Sequence, residues 1–381
     1  MAPLSAGVLV GGLLMLAALG HAMQLTLTIR YPLAAGSTLY LRGSALGLSW
    51  DTGVPVKPAP AVGVDTFQYV VDVPPAQFGR TLQFKTLVND ADWQVGANEQ
   101  VVLPEDPAEV VSYPFFYSTA GEYRVLPEVY SPVLKNSRHP VVYTPPSYHE
   151  NPYKPMRNVL VMHDGQNLFN DSTSFMVAWH CQDTINKLVV EGGMEEVAIV
   201  GLYNTPDRND EYTYSYDPTE KMGGKGDLYL DFIEQVALPA VVKQYPRFKT
   251  DPDSLGILGS SLGGLISCYA GWTRSRTYGR AGCMSSSFWW NGQDFVNVTM
   301  PSFGAPVPET FYLDSGSAGP GRDDEFETLA VRHAMEELGF VLNRNLFYYL
   351  DVGGEHNEVY WGRRFHVPMT ALYPPSPLAF V

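Results

Sequence analysis

One serine of the chain lies between two glycines in the pattern G-x-S-x-G, at Gly259-Ser260-Ser261-Leu262-Gly263. The apolar run at residues 255–258 is typical of a strand, and the run that starts at Leu262 is typical of a helix. A tight turn between a strand and a helix lifts the serine hydroxyl above the edge of a sheet, and the glycines permit that turn. We therefore predict that Ser261 is a nucleophile, with a structural glycine-rich turn as the alternative.

A serine nucleophile needs a base, because its free hydroxyl is weakly nucleophilic. When the serine comes first in the chain, the acid follows it and the base lies last, in a loop after the final strand. His356 lies in such a loop, directly after the β-rich run at residues 346–350. Among the eight histidines it alone combines this order with this position, whereas His333 and His366 fall in helical patterns. We predict that His356 is the base.

The acid that orients the base is expected after the β-rich run at residues 310–313. Asp314, Asp323 and Asp324 are the candidates. Asp314 would still lie on the strand, while the segment at residues 315–322 would carry the chain away from the strand to Asp323. We favour Asp323 and keep the other two open, with a carboxylate at a helix N-terminus as the structural alternative.

An oxyanion that forms during attack on a carbonyl needs two backbone N–H donors. One is expected from Leu262, the residue after the nucleophile, and the other from Gln166, in the loop after the run at residues 159–162. His163 and Asp164 lie in the same loop and are interpreted as packing residues at the strand end. Trp289 and Trp290 follow an apolar stretch at residues 281–284 and are predicted to line the substrate site, with core packing as the alternative for at least one of them.

The remaining composition excludes several other classes of function. The motifs H-E-x-x-H, G-x-x-x-x-G-K-[ST] and C-x-x-C are absent from the sequence, so we expect no metal and no cofactor. The chain has 25 Lys and Arg against 40 Asp and Glu, a net charge of −15. This balance argues against nucleic acid or an anionic membrane as a partner, because both are bound through clustered basic residues.

The pattern of elements changes near residue 120. Before it, five short β-rich segments separated by Pro, Gly and Asp predict a β-sandwich of about 100 residues. After it, β-runs alternate with helical stretches, which predicts a mainly parallel sheet covered by helices, an α/β class. The helical stretches are residues 175–191, 227–245, 262–272 and 324–338.

The first residues of the chain have the pattern of a targeting signal. Residues 6–19 are apolar or glycine, a run too short for the ~20 residues that span a bilayer, and small residues precede a cleavage site after Ala22. We expect a signal peptide at residues 1–22, a β-sandwich at 23–118, a catalytic domain at 119–381 and secretion of the protein. A retained anchor or a buried helix is the alternative for the first segment, and the three cysteines allow at most one disulfide.

Five motifs in the second part of the chain, taken together, resemble the esterase family of α/β hydrolases. They are Met162–Phe169, Gly259–Gly263, Ser287–Trp290, Tyr312–Gly316 and Gly354–Glu358. The family includes enterochelin esterases, feruloyl esterases and S-formylglutathione hydrolases, and the resemblance covers about residues 122–373. It implies an α/β-hydrolase fold and a metal-independent carboxylic-ester hydrolase. It does not identify the small-molecule or glycan substrate, for which a siderophore ester, a feruloyl ester and an acetyl-glycan ester stay open.

The first part of the chain resembles a starch-binding carbohydrate module. The positions that match its sugar site are Trp50, Lys85, Trp93 and Asn98. The resemblance implies a starch-like glucan as a binding partner, whereas in the structural alternative both tryptophans only cover the core of the sandwich. Two other functions stay open for the whole chain: a non-catalytic carbohydrate-binding protein on a hydrolase scaffold, and an acyltransferase that uses an alcohol in place of water.

Overall fold

The computed structural model describes residues 21–305 and 310–381, so most of the expected signal peptide at residues 1–22 lies outside the described residues. Six strands longer than three residues build the N-terminal part. They are β1 (Met23–Arg30), β2 (Leu39–Gly43), β3 (Thr66–Val73), β4 (Thr81–Val88), β5 (Glu99–Val102) and β6 (Ala108–Ser112). β1 pairs with β3 and β6 in one sheet, β4 pairs with β2 and β5 in the other, and apolar side chains from both sheets form one core.

The second part of the chain is organised around an eight-stranded sheet. Its strands are β7 (Glu122–Val125), β8 (Pro140–Thr144), β9 (Val159–Met162), β10 (Ala198–Leu202), β11 (Leu255–Ser260), β12 (Arg280–Met284), β13 (Thr310–Gly316) and β14 (Leu346–Asp351). The order across the sheet is β7-β8-β10-β9-β11-β12-β13-β14. The six strands β9 to β14 are parallel to one another, and β8 is antiparallel to both of its neighbours, β7 and β10. The predicted α/β class is confirmed.

Helices cover both faces of this sheet, and each face has its own apolar core. The α-helices of seven or more residues are α1 (Cys181–Val190), α2 (Gly226–Phe232), α3 (Leu238–Gln244), α4 (Leu262–Thr273), α5 (Glu325–Glu337), α6 (Glu358–Arg364) and α7 (His366–Leu372); a π-helical segment, Ile233–Ala237, joins α2 to α3. Since β9 to β14 are parallel, the loops that follow them meet at the carboxyl edge of the sheet, where ligands bind in folds of this kind.

One predicted helix starts later than expected. The apolar spacing predicts a helix over residues 175–191, but α1 begins at Cys181. Residues 170–180 form a loop that is tied to the loop after β9, because the backbone N–H of Phe175 donates to Asn167 Oδ1 at 3.0 Å. His180 has a left-handed backbone (φ 52°), which no α-helix continues through.

The two parts of the chain are joined by specific polar contacts. The carboxylate of Glu150 accepts hydrogen bonds from the backbone N–H groups of Phe116, Tyr117 and Ser118 at 2.6–3.0 Å and from the hydroxyl of Tyr31 at 3.0 Å. The chain end returns to the N-terminal sheets: Phe380 forms a bridge with Val110 of β6. Phe380, which the sequence assigns to the second part of the chain, thus extends a sheet of the first part.

No helix of residues 21–305 and 310–381 is long and apolar enough to cross a membrane. Cys181, Cys268 and Cys283 are buried and have free thiols. Burial raises the pKa of the Cys181 and Cys283 thiols well above the ordinary value.

Candidate active site

Ser261 lies at the turn between β11 and α4, at the carboxyl edge of the central strands. Its backbone is strained, with φ 59° and ψ −127°, a conformation that costs about 1–3 kcal/mol and is held by its surroundings. Gly259 is required by close packing: a Cβ there would lie 2.7 Å from the backbone of Gly263 and 2.8 Å from His163 Cδ2. The pattern read from sequence therefore produces the expected sharp turn with an accessible serine.

A chain of hydrogen bonds joins Ser261 to His356 and Asp323. His356 Nε2 lies 2.9 Å from Ser261 Oγ, and His356 Nδ1 lies 2.6 Å from Asp323 Oδ1. The imidazole is one-third exposed, while the carboxylate is completely buried. The three residues come from three loops, after β11, β13 and β14, whose common position is decided by the parallel sheet.

Asp323 is held by more donors than the histidine alone. Its Oδ2 accepts the hydroxyl of Ser285 at 2.6 Å and the backbone N–H of Gly316. Burial acts to raise the pKa of Asp323, but the hydrogen bonds from His356, Ser285 and Gly316 outweigh it and hold the pKa below its ordinary value. The carboxylate is therefore ionised at neutral pH.

The two other candidate acids lie close by without a hydrogen bond to His356. Asp314, on β13, is fully buried and bonds Arg364 Nη2 at 2.9 Å and Tyr312 Oη at 2.9 Å. Burial raises its pKa, against the effect of Arg364. Burial raises the pKa of Asp324 to about 6, which the nearby His356 opposes. Of the three candidate acids, only Asp323 lies at hydrogen-bond distance from the histidine.

The backbone N–H groups predicted for the oxyanion belong to two neighbouring segments. Leu262 is the first residue of α4, so its N–H has no acceptor within the helix. Gln166 lies in the turn Gly165–Asn167 after β9, and this loop packs on the serine turn, because a Cβ at Gly263 would lie 3.2 Å from His163 Cβ. The side chain of Gln166 accepts the N–H of Asn204 at 3.2 Å, which anchors the loop to the segment after β10.

His163 and Asp164 are packing residues, as interpreted from sequence. His163 is 2% exposed, its Nδ1 lies 2.9 Å from Tyr229 Oη, and burial lowers its pKa to about 3. Asp164 is bound to Arg208 by two hydrogen bonds of 2.8 and 2.9 Å. Burial acts to raise the pKa of Asp164, but Arg208 outweighs it and the pKa lies below the ordinary value.

Trp289 and Trp290 lie next to the serine turn but have different environments. Ser287 Oγ is 3.4 Å from Ser261 Oγ, which places this segment beside the nucleophile. Trp290 is 2% exposed and its Nε1 donates to the carbonyl of Ser215 at 3.1 Å, so it packs in the core. Trp289 is 39% exposed and is the member of the pair with an accessible ring.

Of the four residues that resemble a sugar site, two are exposed tryptophans and two have side chains that hydrogen-bond within the protein. Trp50 and Trp93 are exposed, and their rings stack with centroids 6.5 Å apart and an interplanar angle of 24°. Lys85 Nζ donates to the carbonyls of Gln94 and Gly96 at 3.0 and 2.7 Å, and Asn98 Nδ2 donates to Gln83 at 3.2 Å. Lys85 thus shapes the loop that carries Trp93, and glucan binding stays a prediction.

Three residues around the acid were missed in the sequence: Ser285, Trp361 and Arg364. Ser285 is a polar residue directly after a buried parallel strand, which is the signal that could have found it. Trp361 and Arg364 lie on α6 three residues apart, a spacing that puts them on one helix face, but a buried arginine has no sequence signature. The described residues contain no group of three or more His, Cys, Asp or Glu that could hold a metal ion.

Comparisons with known proteins agree with this fold. The chain is 25% identical over 250 residues to the uncharacterized protein YbbA of Bacillus subtilis, covering 62% of this chain and 93% of that protein. It is 37% identical over 68 residues to a siderophore triacetylfusarinine C esterase of Aspergillus fumigatus, covering 18% of this chain and 23% of that protein. The crystal structure of the enterobactin esterase from Shigella flexneri has a TM-score of 0.51 and 14% identity, covering 88% of each chain, which shows a shared fold.

Residues 131–371 match the family model described as "Putative esterase". This segment is more than half of the chain and contains the serine turn, the histidine loop and Asp323. The chain belongs to this esterase family, as the five motifs in its sequence predicted.

Proposed function

We propose that the protein hydrolyses carboxylic esters through an acyl-enzyme, with Ser261 as nucleophile, His356 as base and Asp323 as the acid that orients it. The observation that carries the proposal is the continuous hydrogen-bonded chain of these residues, with distances of 2.9 and 2.6 Å. Membership of an esterase family supports the reaction class.

The proposed reaction has two stages, acylation of Ser261 and hydrolysis of the acyl-enzyme. His356 Nε2 takes the proton from Ser261 Oγ as that oxygen bonds to the ester carbonyl carbon, and the N–H groups of Leu262 and Gln166 stabilise the oxyanion. When the tetrahedral intermediate collapses, the bond to the alcohol oxygen breaks and His356 gives its proton to the leaving alcohol. A water molecule then attacks the carbonyl carbon of the acyl-enzyme and passes a proton to His356. When this second tetrahedral intermediate collapses, the bond to Ser261 Oγ breaks, His356 returns the proton to that oxygen, and the carboxylic acid leaves. Asp323 stays ionised and stabilises the imidazolium throughout.

The charge at the carboxyl edge of the sheet favours a substrate without negative charge. The loops after the parallel strands contain 11 Asp and Glu but only 4 Lys and Arg: residues 163–180, 203–225, 285–294, 317–324 and 352–357. Three of the four basic residues are ion-paired with carboxylates. An anionic ester approaching Ser261 meets a net negative field. Together with the local similarity to a siderophore esterase, this favours a siderophore ester whose iron-bound form is uncharged.

Replacement of the nucleophile tests the reaction. We expect Ser261→Ala to lower kcat for p-nitrophenyl butyrate by about 10⁴-fold or more while the melting temperature stays within a few degrees. A fluorophosphonate probe should label the wild type, and peptide mapping should place the label on Ser261. Ser267→Ala, which removes a buried serine hydroxyl elsewhere on α4, is the matched control and should keep both turnover and labelling. Wild-type turnover by Ser261→Ala would overturn the proposal.

A further inference from the structure

The hydroxyl of Ser285 lies at the centre of a buried network beneath Asp323. Ser285 follows β12 and is completely buried. Its Oγ lies 2.6 Å from Asp323 Oδ2 and 2.9 Å from Trp361 Nε1, and it also contacts Arg364 Nη2. Its backbone N–H donates to Asp314 Oδ1 at 3.0 Å, which fixes the residue to β13.

The chemistry of these partners decides where the Ser285 proton points. A hydroxyl has one proton to donate and two lone pairs that accept, whereas the indole and guanidinium N–H groups can only donate. Trp361 and Arg364 therefore occupy both lone pairs, and the single proton is left for the carboxylate of Asp323. We propose that Ser285 is a positioning residue that holds this carboxylate ionised and oriented toward His356 Nδ1, a role that rests on the proposed function.

The helix α6 supports both Ser285 and the base, His356. α6 begins two residues after His356 and is capped by Asn357, whose Oδ1 accepts the N–H of Val359 at 3.1 Å. Trp361 on this helix packs edge-to-face against the imidazole, with ring centroids 5.0 Å apart and an interplanar angle of 82°. The helix thus fixes the ring of the base on one side and the hydroxyl of Ser285 on the other.

The charged groups that face Asp323 come from the loop after β14 and from α6. His356 and Arg364 face its two oxygens at 2.6 and 3.4 Å. Arg364 also pairs with Asp314 at 2.9 Å and with Asp351 at 3.5 Å, and Arg363 pairs with Asp351 at 3.0 Å; Asp324 is the next residue in the chain. Because the Ser285 hydroxyl is among the donors that lower the pKa of Asp323, its removal raises that pKa and narrows the pH range in which the acid is ionised.

Kinetics as a function of pH test this role in the full-length protein. We expect Ser285→Ala to lower kcat for p-nitrophenyl butyrate by about 10- to 100-fold with KM within about twofold of wild type. We expect the acidic limb of its kcat profile to move to higher pH by about half a unit or more. Ser285→Cys keeps a weaker donor in nearly the same space and should show the same changes at smaller size.

The control and the second variant keep the outcome decisive. Ser267→Ala should leave kcat and the acidic limb unchanged. If Ser285→Ala does not fold, Ser285→Cys carries the measurement. Wild-type kcat and an unmoved acidic limb in the folded Ser285 variants, with only the melting temperature lowered, would overturn the proposal. Failure of the proposed function is distinct, because it shows as turnover by Ser261→Ala whatever Ser285 does.

Discussion

The pairs His163–Asp164 and His356–Asp323 lie at the carboxyl edge of one sheet, and their environments differ completely. His163 is buried against Tyr229, and Asp164 beside it bonds Arg208 instead of the histidine. His356 is one-third exposed and joins Ser261 to the buried Asp323. Burial lowers the pKa of His163 to about 3, so this ring is uncharged near neutral pH. The same two residue types therefore stabilise a loop in one place and form a hydrogen-bonded chain with Ser261 in the other.

The largest expected effect comes from replacing each histidine in the same way. His356→Asn should lower kcat for p-nitrophenyl butyrate by about 10⁴-fold or more, since His356 is the one basic side chain of the described residues that is hydrogen-bonded to Ser261 Oγ. His163→Asn should keep kcat within about tenfold and lose about 1–3 kcal/mol of unfolding free energy, because it disturbs a packed ring. Steady-state kinetics and urea unfolding of both variants measure this contrast. Equal losses of kcat would show that the two pairs are not functionally distinct.

The next effect concerns the free energy of unfolding and the ion pair between Asp164 and Arg208. Arg208→Met leaves the buried carboxylate of Asp164 without its cation, which should cost about 3–5 kcal/mol of unfolding free energy at pH 7. In the wild type the pKa of Asp164 is lowered in the folded state, so this stabilisation is present above the unfolded pKa of about 3.9 and is lost as the pH falls through the folded value. In the variant, burial without the cation raises the pKa of the Asp164 carboxyl, which therefore takes up a proton at a higher pH than in the wild type and loses its unpaired charge. The difference between variant and wild type should for this reason shrink toward pH 4.5.

Urea unfolding at pH 7 and at pH 4.5 checks this expectation. Arg276→Met is a suitable control, because Arg276 is exposed and forms no ion pair with the described residues. A loss that is the same at both pH values would indicate that packing of the Arg208 side chain, and not its charge on Asp164, stabilises the loop.

The smallest expected effect concerns charge, which also distinguishes the surroundings of the two His–Asp pairs. Asp164 is paired with Arg208, whereas Glu355 and Asp324 beside the His356 end have no ion-pair partner among the described residues. At pH 8 and low salt we expect kcat/KM for p-nitrophenyl hexanoate to exceed that for the mono-p-nitrophenyl ester of adipic acid by about 5- to 20-fold. The ratio should fall at 0.5 M NaCl, because salt screens the repulsion of the distal carboxylate.

Charge variants complete this measurement. Glu355→Gln should lower the ratio of kcat/KM for the hexanoate ester to kcat/KM for the adipic acid monoester. Glu337→Gln, at an exposed position at the far end of α5, should leave this ratio unchanged. A ratio that does not respond to salt would assign the preference to burial of the acyl chain, and the substrate's charge would then be of no consequence.

Much of the fold could be predicted because its signals are local. The strands at residues 159–162 and 255–260 and the helix from Leu262 follow from apolar runs and from the glycines around Ser261. The start of α1 could not be predicted, because contacts with Asn167, fourteen residues away from Cys181, hold the preceding segment as a loop. The pairing of Phe380 with Val110 is likewise a contact between distant residues that no periodicity records.

The sequence by itself determined the serine turn at Ser261, the loop position of His356 and the order of strands and helices, since each depends on neighbouring residues. Only the tertiary structure decided which aspartate meets His356. Arg322, Asp323 and Asp324 all have left-handed backbones, with φ of 52–57°, and this unusual turn directs Asp323 inward. Donors from β12, β13 and α6 converge there on a buried carboxylate and its serine. Such convergence depends on how distant elements pack, and the positions of three acidic candidates in a sequence cannot show it.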